Sequence, residues 1–315
     1  MAIRNNLTKT WDVAVVGEIF ADHVFAGLAQ WPQPGEEYFT DHYVREAGGG
    51  AAITACALGR LGRRVAIFAV IGEGDLWLQE RLRSFAVDLA WLRLVNTSTA
   101  VSVSISTHED RSFLTWPGAN RALPGYLGEP ETGARLAQAR HIHFAMPITR
   151  ELALALFPQL RAAGCTVSID IGHHPEWLRD PQNWLTCGEV DFFMPNEKEG
   201  QLMIESDQPE QILAGLAAKG IAGTVLKLGP AGAAAWRYGR LYRAAALALQ
   251  PVDTTGAGDA FDAGFIDALL DHAELPQMLQ RACLCGSLST RQAGALAALP
   301  GREELNEYHD RLKQY

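Results

Sequence analysis

Residues 251–265 read PVDTTGAGDAFDAGF, a turn of threonines, glycines and alanine set between Asp253 and Asp259. An apolar helical pattern begins at Asp259, which places Gly256, Ala257 and Gly258 at the expected helix N-terminus. Unpaired N–H groups and the positive end of the helix dipole gather at such a terminus. Small residues let an anion approach the backbone closely. A carboxylate at the edge of a phosphate cradle is repelled as a ligand, but it suits a general base that takes the proton from an attacking hydroxyl. Together these parts suit phosphoryl transfer, where catalysis is mostly positioning and charge stabilisation. The same residues would also serve a helix with an acid in its first turn and glycines for the bend. Other phosphate motifs do not fit. G-x-x-x-x-G-K-[ST] is absent, and GAGDAF and IGEGDLW carry Phe261 and Trp77 where a dinucleotide fingerprint needs its third glycine.

The surrounding pattern says what holds this turn. WDVAVVGEI, RRVAIFAVIG, ARHIHFA, CTVSIDIG, VDFFMPN and GTVLKLG read as strands. GGAAITACALGRLG, DLWLQERLRSFAV, RELALALFPQLRAAG, KEGQLMIE and PEQILAGLAAKG read as helices between them. Near-continuous apolar strands alternating with helices predict an α/β fold in three layers, a mostly parallel sheet with helices on both faces. Ligands of such sheets bind beyond the carboxyl ends of the strands. RLYRAAALALQPV is expected to be a strand running into Asp253. Residues 20–46 and 98–117 instead carry period-two patterns with no helix between, and SVSISTHEDRSFLTW reads as two strands around a turn at Glu109–Asp110. They are expected to form a small antiparallel β lid on a single unit spanning 1–315.

Composition narrows the function. The 315 residues are 48% hydrophobic and 20% charged, ordinary for a globular chain. A net charge of −9 without long like-charge runs gives nucleic acid no electrostatic support. Cys56, Cys165, Cys187, Cys283 and Cys285 lack zinc spacing, so reduced, buried thiols are expected. No apolar run approaches a membrane span, and VAVVG reads as a strand rather than a targeting segment, so a cytoplasmic protein is expected.

DTTGAGDAFDAGF resembles the C-terminal signature of the ribokinase-like, or PfkB, carbohydrate kinase family, and GGGAAITACALGRLG (48–62) its N-terminal one. MPNEKEG resembles the family's N-x-x-E motif, KLGPAG (227–232) its nucleotide loop, and PGAN (117–120) the stretch returning from the lid. The resemblance implies ATP-dependent phosphorylation of a hydroxymethyl group on a sugar or related alcohol. It implies that Asp259 is the base and that the amides of Ala257 and Gly258 are the anion hole. Asn196 and Glu199 would organise Mg2+, largely through water. The loop from Lys227 through Gly229 to Gly232 would line the ATP channel, and Asp253 and Thr255 would fall where relatives often bind a monovalent cation such as K+. Asp22 would hold sugar hydroxyls, Gly48 and Gly49 would let the backbone approach the sugar, and the lid would cover it and pair with a second subunit.

Simpler roles stand beside these. Asn196 and Glu199 could be a helix cap and first-turn acid, Lys227 a solvated strand-end lysine and Asp22 a turn residue. His141 and His143 share a strand face and suit packing better than metal binding; His173 and His174 suit loop scaffolding. Ile53 stands where many relatives carry a sugar-contacting asparagine, and Met146 near where ribokinase-type relatives offer a carboxylate. Cys283 stands near an asparagine that some relatives place beside the adenine. These departures suggest a more apolar pocket and make a nucleoside the alternative substrate, to which Phe39, Phe113 or Trp116 of the lid could contribute. A phosphorylated sugar is disfavoured because no added basic residue lies near the glycines, although Arg45 and Arg111 could reach from the lid. A non-catalytic sensor would have no use for Asp259.

Overall fold

In the computed structural model, which describes residues 9–107, 111–237 and 239–312, thirteen strands form three sheets. They are β1 Trp11–Gly17, β2 Phe20–Leu28, β3 His42–Gly48, β4 Val65–Gly72, β5 Val87–Val95, β6 Ala100–Thr107, β7 Arg111–Trp116, β8 Ala139–Ala145, β9 Thr166–Ile169, β10 Phe192–Phe193, β11 Val225–Lys227, β12 Ala233–Arg237 and β13 Arg240–Ala244. The main sheet has the order β10-β9-β8-β1-β4-β5 and every pairing in it is parallel. Its alternation explains the helices on both faces. Ala14, Val16, Ala66, Phe68 and Val70 enter one buried cluster, while Val13, Val15, Val65, Ile67, Ala69 and Ile71 enter another on the opposite face.

Strand β11 continues the main sheet through two parallel bridges, Phe193↔Thr224 and Asn196↔Lys227, and pairs antiparallel with β12, which pairs with β13. The strand expected over 240–252 ends at Ala244. Residues 245–250 leave the ladder, and Ala246, Leu247, Ala248 and Leu249 among them line the cleft described below. Strand β5, whose VDLAWLRLV alternates by twos, was not anticipated.

Segments 20–46 and 98–117 supply the four strands of the third sheet, ordered β3-β2-β6-β7. Its two outer ladders are antiparallel, but β2 and β6 pair in parallel, because the chain returns to this sheet by way of β4 and β5. The turn expected at Glu109–Asp110 lies outside the described residues. Asn120 pins the returning chain to the β1–β2 corner: its Nδ2 donates to Ile19 O at 3.1 Å and its Oδ1 accepts from Ile19 N at 3.4 Å. The five cysteines are buried and free. Among the described residues no helix is long and apolar enough to cross a membrane.

Candidate active site

The carboxyl ends of β1, β8, β9, β10 and β11 converge on the start of the helix Ala257–Leu270, which begins two residues earlier than its sequence pattern suggested. Gly256 precedes it at φ 74°, a left-handed conformation, and a Cβ there would lie 2.9 Å from Ala295 Cβ and 3.1 Å from Ile53 Cγ2. Only glycine makes this corner without strain. No side chain caps the helix. Ala257 N donates to Thr254 O at 3.2 Å, whereas Gly258 N has no acceptor among the described residues. Of the two amides expected to form an anion hole, Gly258 N is therefore open and Ala257 N already has an acceptor. Asp253 fixes the turn from behind. Its Oδ1 accepts from Thr255 N and Oγ1 at 2.9 and 2.7 Å, and its Oδ2 accepts from Gly294 N at 2.9 Å.

Asp259 is partly buried at the mouth of this turn. Burial, with the Asp170 charge adding to it, pushes its pKa up to about 7 against the pull of Lys227. Carboxylate oxygens of Asp170, Asp259 and Asp262 lie within 4.8 Å of one another. Lys227 is inserted among them, its Nζ 2.7 Å from Asp170 Oδ2 and 3.3 Å from each oxygen of Asp262. It is 9% exposed, so it is not a solvated strand-end residue. Burial pushes the Asp262 pKa well above the carboxylate range, while Lys227 holds the equally buried Asp170 below it. Sequence reasoning missed both aspartates. Asp170 closes the strand pattern CTVSID at the ligand-binding edge, and Asp262 follows Asp259 by three, on the same helical face.

On the other side of Asp259 lie Gly48, Gly49 and Gly50. A Cβ on Gly50 would approach Asp259 Oδ1 to 3.0 Å, one on Gly48 would overlap the Asp22 carboxylate, and one on Gly49 would lie 2.5 Å from Glu18 O. Gly48 thus borders the Asp22 carboxylate and Gly50 borders Asp259, with no side chain on either glycine. Burial pushes the Asp22 pKa up to about 7, with the charges of Asp259 and Glu46 contributing. Ile53, expected to face the substrate, is 4% exposed and packs beneath Gly256 in the core, and Met146 is likewise a core residue. Both side chains pack into the core clusters beneath the site. Arg45 stacks on Trp77 at 4.0 Å and faces Asp75 at 3.6 Å. Arg81 pairs with Glu46 at 2.5 Å. The Arg111 side chain lies outside the described residues.

Lys227, Gly229 and Gly232 line a cleft of about 350 Å³ together with Ala257 and Gly258, so the loop and the turn meet at one cavity. Pro230, Ala246, Leu247, Leu249 and Cys283 give its apolar walls. Gly232, at φ 92°, presses against the 244–246 backbone, which leaves no room for a side chain. Asn196 and Glu199 form a complete capping box on the helix Glu197–Ile204. Asn196 Oδ1 accepts from Glu199 N at 3.0 Å, and Glu199 Oε2 accepts from Asn196 N at 2.9 Å. Burial and nearby Asp170 nevertheless raise the Glu199 pKa, a cost a capping acid does not ordinarily carry. His141 and His143 share Ser168 Oγ at 2.8 Å within the core, and burial keeps both neutral. His174 precedes the short helix Pro175–Arg179.

Residues 11–302 match the family described as pfkB family carbohydrate kinase. A ribokinase of Haemophilus influenzae is 24% identical over 305 residues, covering 94% of this chain and 97% of that protein. An ATP-dependent ribose-1-phosphate kinase of Halopiger xanaduensis is 30% identical over 260 residues, covering 81% and 84%. The structure of Arabidopsis thaliana ribokinase complexed with ribose and ATP has a TM-score of 0.82 at 24% identity, covering 94% of this chain and 98% of that one.

Proposed function

Because this chain belongs to the pfkB family of carbohydrate kinases, we propose that it transfers the γ-phosphate of ATP to a hydroxymethyl group of an uncharged sugar. The observation that carries the reading is the place of Asp259, between the glycine-lined approach to Asp22 and the cleft that contains Gly258 and Lys227. Asp259 takes the proton of the attacking hydroxyl, while Gly258 N and the helix terminus meet the charge on the transferred phosphoryl group. The apolar walls of the cleft suit an adenine ring. Asn196 and Glu199 would hold, through water, the magnesium that accompanies ATP, an ion that supplies charge neutralisation for the phosphate chain. The Glu199 site fits this role, since a cation would relieve the charge that burial and Asp170 make costly there. A K+ ion near Asp253 and Thr255 would tighten the turn they already brace. The lid leaves Phe25, Tyr43, Val44, Leu114 and Trp116 exposed, which suits burial against a second subunit.

An uncharged acceptor follows from charge balance. Asp22, Glu46 and Asp259 lie on the acceptor side, and Arg45 and Arg81 there are already committed to Asp75 and Glu46. An anionic sugar would face these carboxylates with both of those described cations already paired. The case for a nucleoside rested on the departures at Ile53, Met146 and Cys283, and the burial of Ile53 and Met146 in the core weakens it.

Coupled ADP release measured across uncharged sugars, sugar acids, ribose 1-phosphate and nucleosides tests this. The highest kcat/KM is expected with an uncharged sugar. A higher value with ribose 1-phosphate would sink the charge argument, and turnover with nucleosides alone would replace the sugar. A second test concerns the anion hole. A Cβ at Gly258 would sit 3.5 Å from Lys227 Nζ, an ordinary contact, so Gly258→Ala is expected to fold normally. It should lower kcat/KM for ATP about tenfold by blocking phosphate approach; unchanged kinetics would move the anion hole elsewhere.

A further inference from the structure

We propose that a buried row of side chains, His143, Ser168, His141 and Thr166, lets Asp262 exchange its proton with solvent at the amino end of the main sheet while ligands close the cleft at the other end. The inference rests on the kinase reading above and gives the reaction a second proton route, through residues that touch no substrate.

The row is hydrogen-bonded throughout except at its first step. His143 Nδ1 and His141 Nε2 both lie 2.8 Å from Ser168 Oγ, and His141 Nδ1 lies 2.8 Å from Thr166 Oγ1. Strands β8 and β9 set this register, with His141 opposite Thr166 and His143 opposite Ser168. The period of two places Asp170 next on the same face of the chain, where it joins the carboxylate cluster. His143 Nε2 is buried with no hydrogen-bond partner among the described residues, and it faces Asp262 Oδ2 at 3.9 Å. A shift of about 1 Å, within reach of a side-chain rotation, closes that gap. At the far end Thr166 is half-buried, whereas His141, His143, Ser168 and Asp262 are fully buried. A purely structural network would not leave a buried ring nitrogen unpaired, because that costs stability.

The protons balance along the row. A serine hydroxyl has one hydrogen, so Ser168 can donate to one ring and accept from the other. With Asp262 protonated, His143 Nε2 is an acceptor and both rings carry their hydrogen on Nδ1. The Asp262 proton then moves to His143 Nε2. The Nδ1 hydrogen of His143 passes to Ser168 Oγ, the serine hydrogen to His141 Nε2, the Nδ1 hydrogen of His141 to Thr166 Oγ1, and the threonine hydrogen to water. One proton enters, one leaves, and both rings end neutral with hydrogen on Nε2. No imidazolium forms, which suits rings whose pKa values burial pushes down to about 3 and about 4. The charged groups facing Asp262 are Lys227 at the end of β11, Asp170 beyond β9 and Asp259 on the same helix. When Asp259 takes the acceptor's proton, it loses the charge that helps hold the proton on Asp262. Asp262 releases that proton through the row and recovers it by the reverse passage once Asp259 is discharged. The buried charge thus stays level during phosphoryl transfer.

The test is NMR of the ring nitrogens in the full chain carrying isotope-labelled histidine, with MgADP present. Both rings of the parent are expected to hold the same tautomer, since one serine hydrogen links Nδ1 of one to Nε2 of the other. Ser168→Ala is expected to slow solvent exchange of the His143 ring hydrogen about tenfold and leave that of His141 unchanged. A merely structural serine predicts the opposite, because loosening the core speeds exchange. Thr166→Val, at the half-buried exit, should slow both rings and serves if the Ala variant does not fold. Opposite tautomers in the parent, or unchanged or faster His143 exchange in the variants, overturn the relay. This measurement needs no turnover, so failure of the kinase reading is separately visible as silence with ATP across the sugar panel. With ATP and the uncharged sugar of highest kcat/KM, Ser168→Ala should lower kcat severalfold with KM unchanged; unchanged kcat overturns the relay's part in the reaction.

Discussion

Asp259→Asn lowers kcat by about 10²–10⁴-fold and leaves ATP affinity nearly intact, because the amide cannot accept the hydroxyl proton while the nucleotide contacts are untouched. The size follows from the role. A base in direct contact with the acceptor hydroxyl acts in the transition state and little in ground-state binding. The pH profile carries the same information. Burial, then the Asp170 charge, pushes the Asp259 pKa up to about 7, so the reactive carboxylate predominates only above that pH. The parent's kcat/KM should therefore fall tenfold per pH unit below about 7, and the residual activity of the Asn variant should lack that limb. Stability should move the other way. The folded-state pKa lies above the ordinary value of 3.8, so ionisation opposes folding. This cost is absent below pH 4, grows between 4 and 7, and is complete above 7. Asp259→Asn should then have a higher Tm than the parent at pH 8 and an equal one near pH 4. Reduced ATP affinity with unchanged kcat would contradict the base assignment.

Gly48→Ala raises the KM for the sugar about 10²-fold with nucleotide binding preserved. A Cβ at residue 48 would overlap the Asp22 carboxylate, the end of a side chain rather than backbone. Relief comes from moving that carboxylate rather than the backbone, so the fold survives and the sugar loses its acceptor. A hydrogen bond to a charged group contributes about 1.5–3 kcal/mol, and a sugar bound through two hydroxyls loses much of both. Sugar titrations beside ATP titrations check this. Unchanged sugar KM would remove Asp22 from the substrate site, and loss of both ligands would mean that the lid corner itself had collapsed.

Much of this was legible along the chain. Near-continuous apolar strands such as VAVVG and VAIFAVIG marked a sheet buried on both faces, and the β2/β3 and β6/β7 segments stood apart because their pattern has period two and no helix intervenes. The glycine turn was legible because positive φ at Gly256 and close backbone approach at Gly48 and Gly49 are requirements that few residue types satisfy. The strand expected over 240–252 failed at Ala244, where the apolar run continues but the chain lines a cleft. Ile53 and Met146 could not be assigned from their positions in the motifs, since only packing shows which side of the helix or strand end meets the core.

The sequence by itself determined the candidate reaction centre proposed above: a short turn, a helix start and an acid are local features, written in fifteen consecutive residues. Tertiary structure alone decided the electrostatics. Lys227 meets Asp170 and Asp262 across separations of 57 and 35 residues, and the charge of Asp259 is felt at Asp22 from the far end of the chain. Whether a carboxylate is a base, a clamp or a proton carrier depends on its burial and on nearby charge, and both are set by which distant segments pack together.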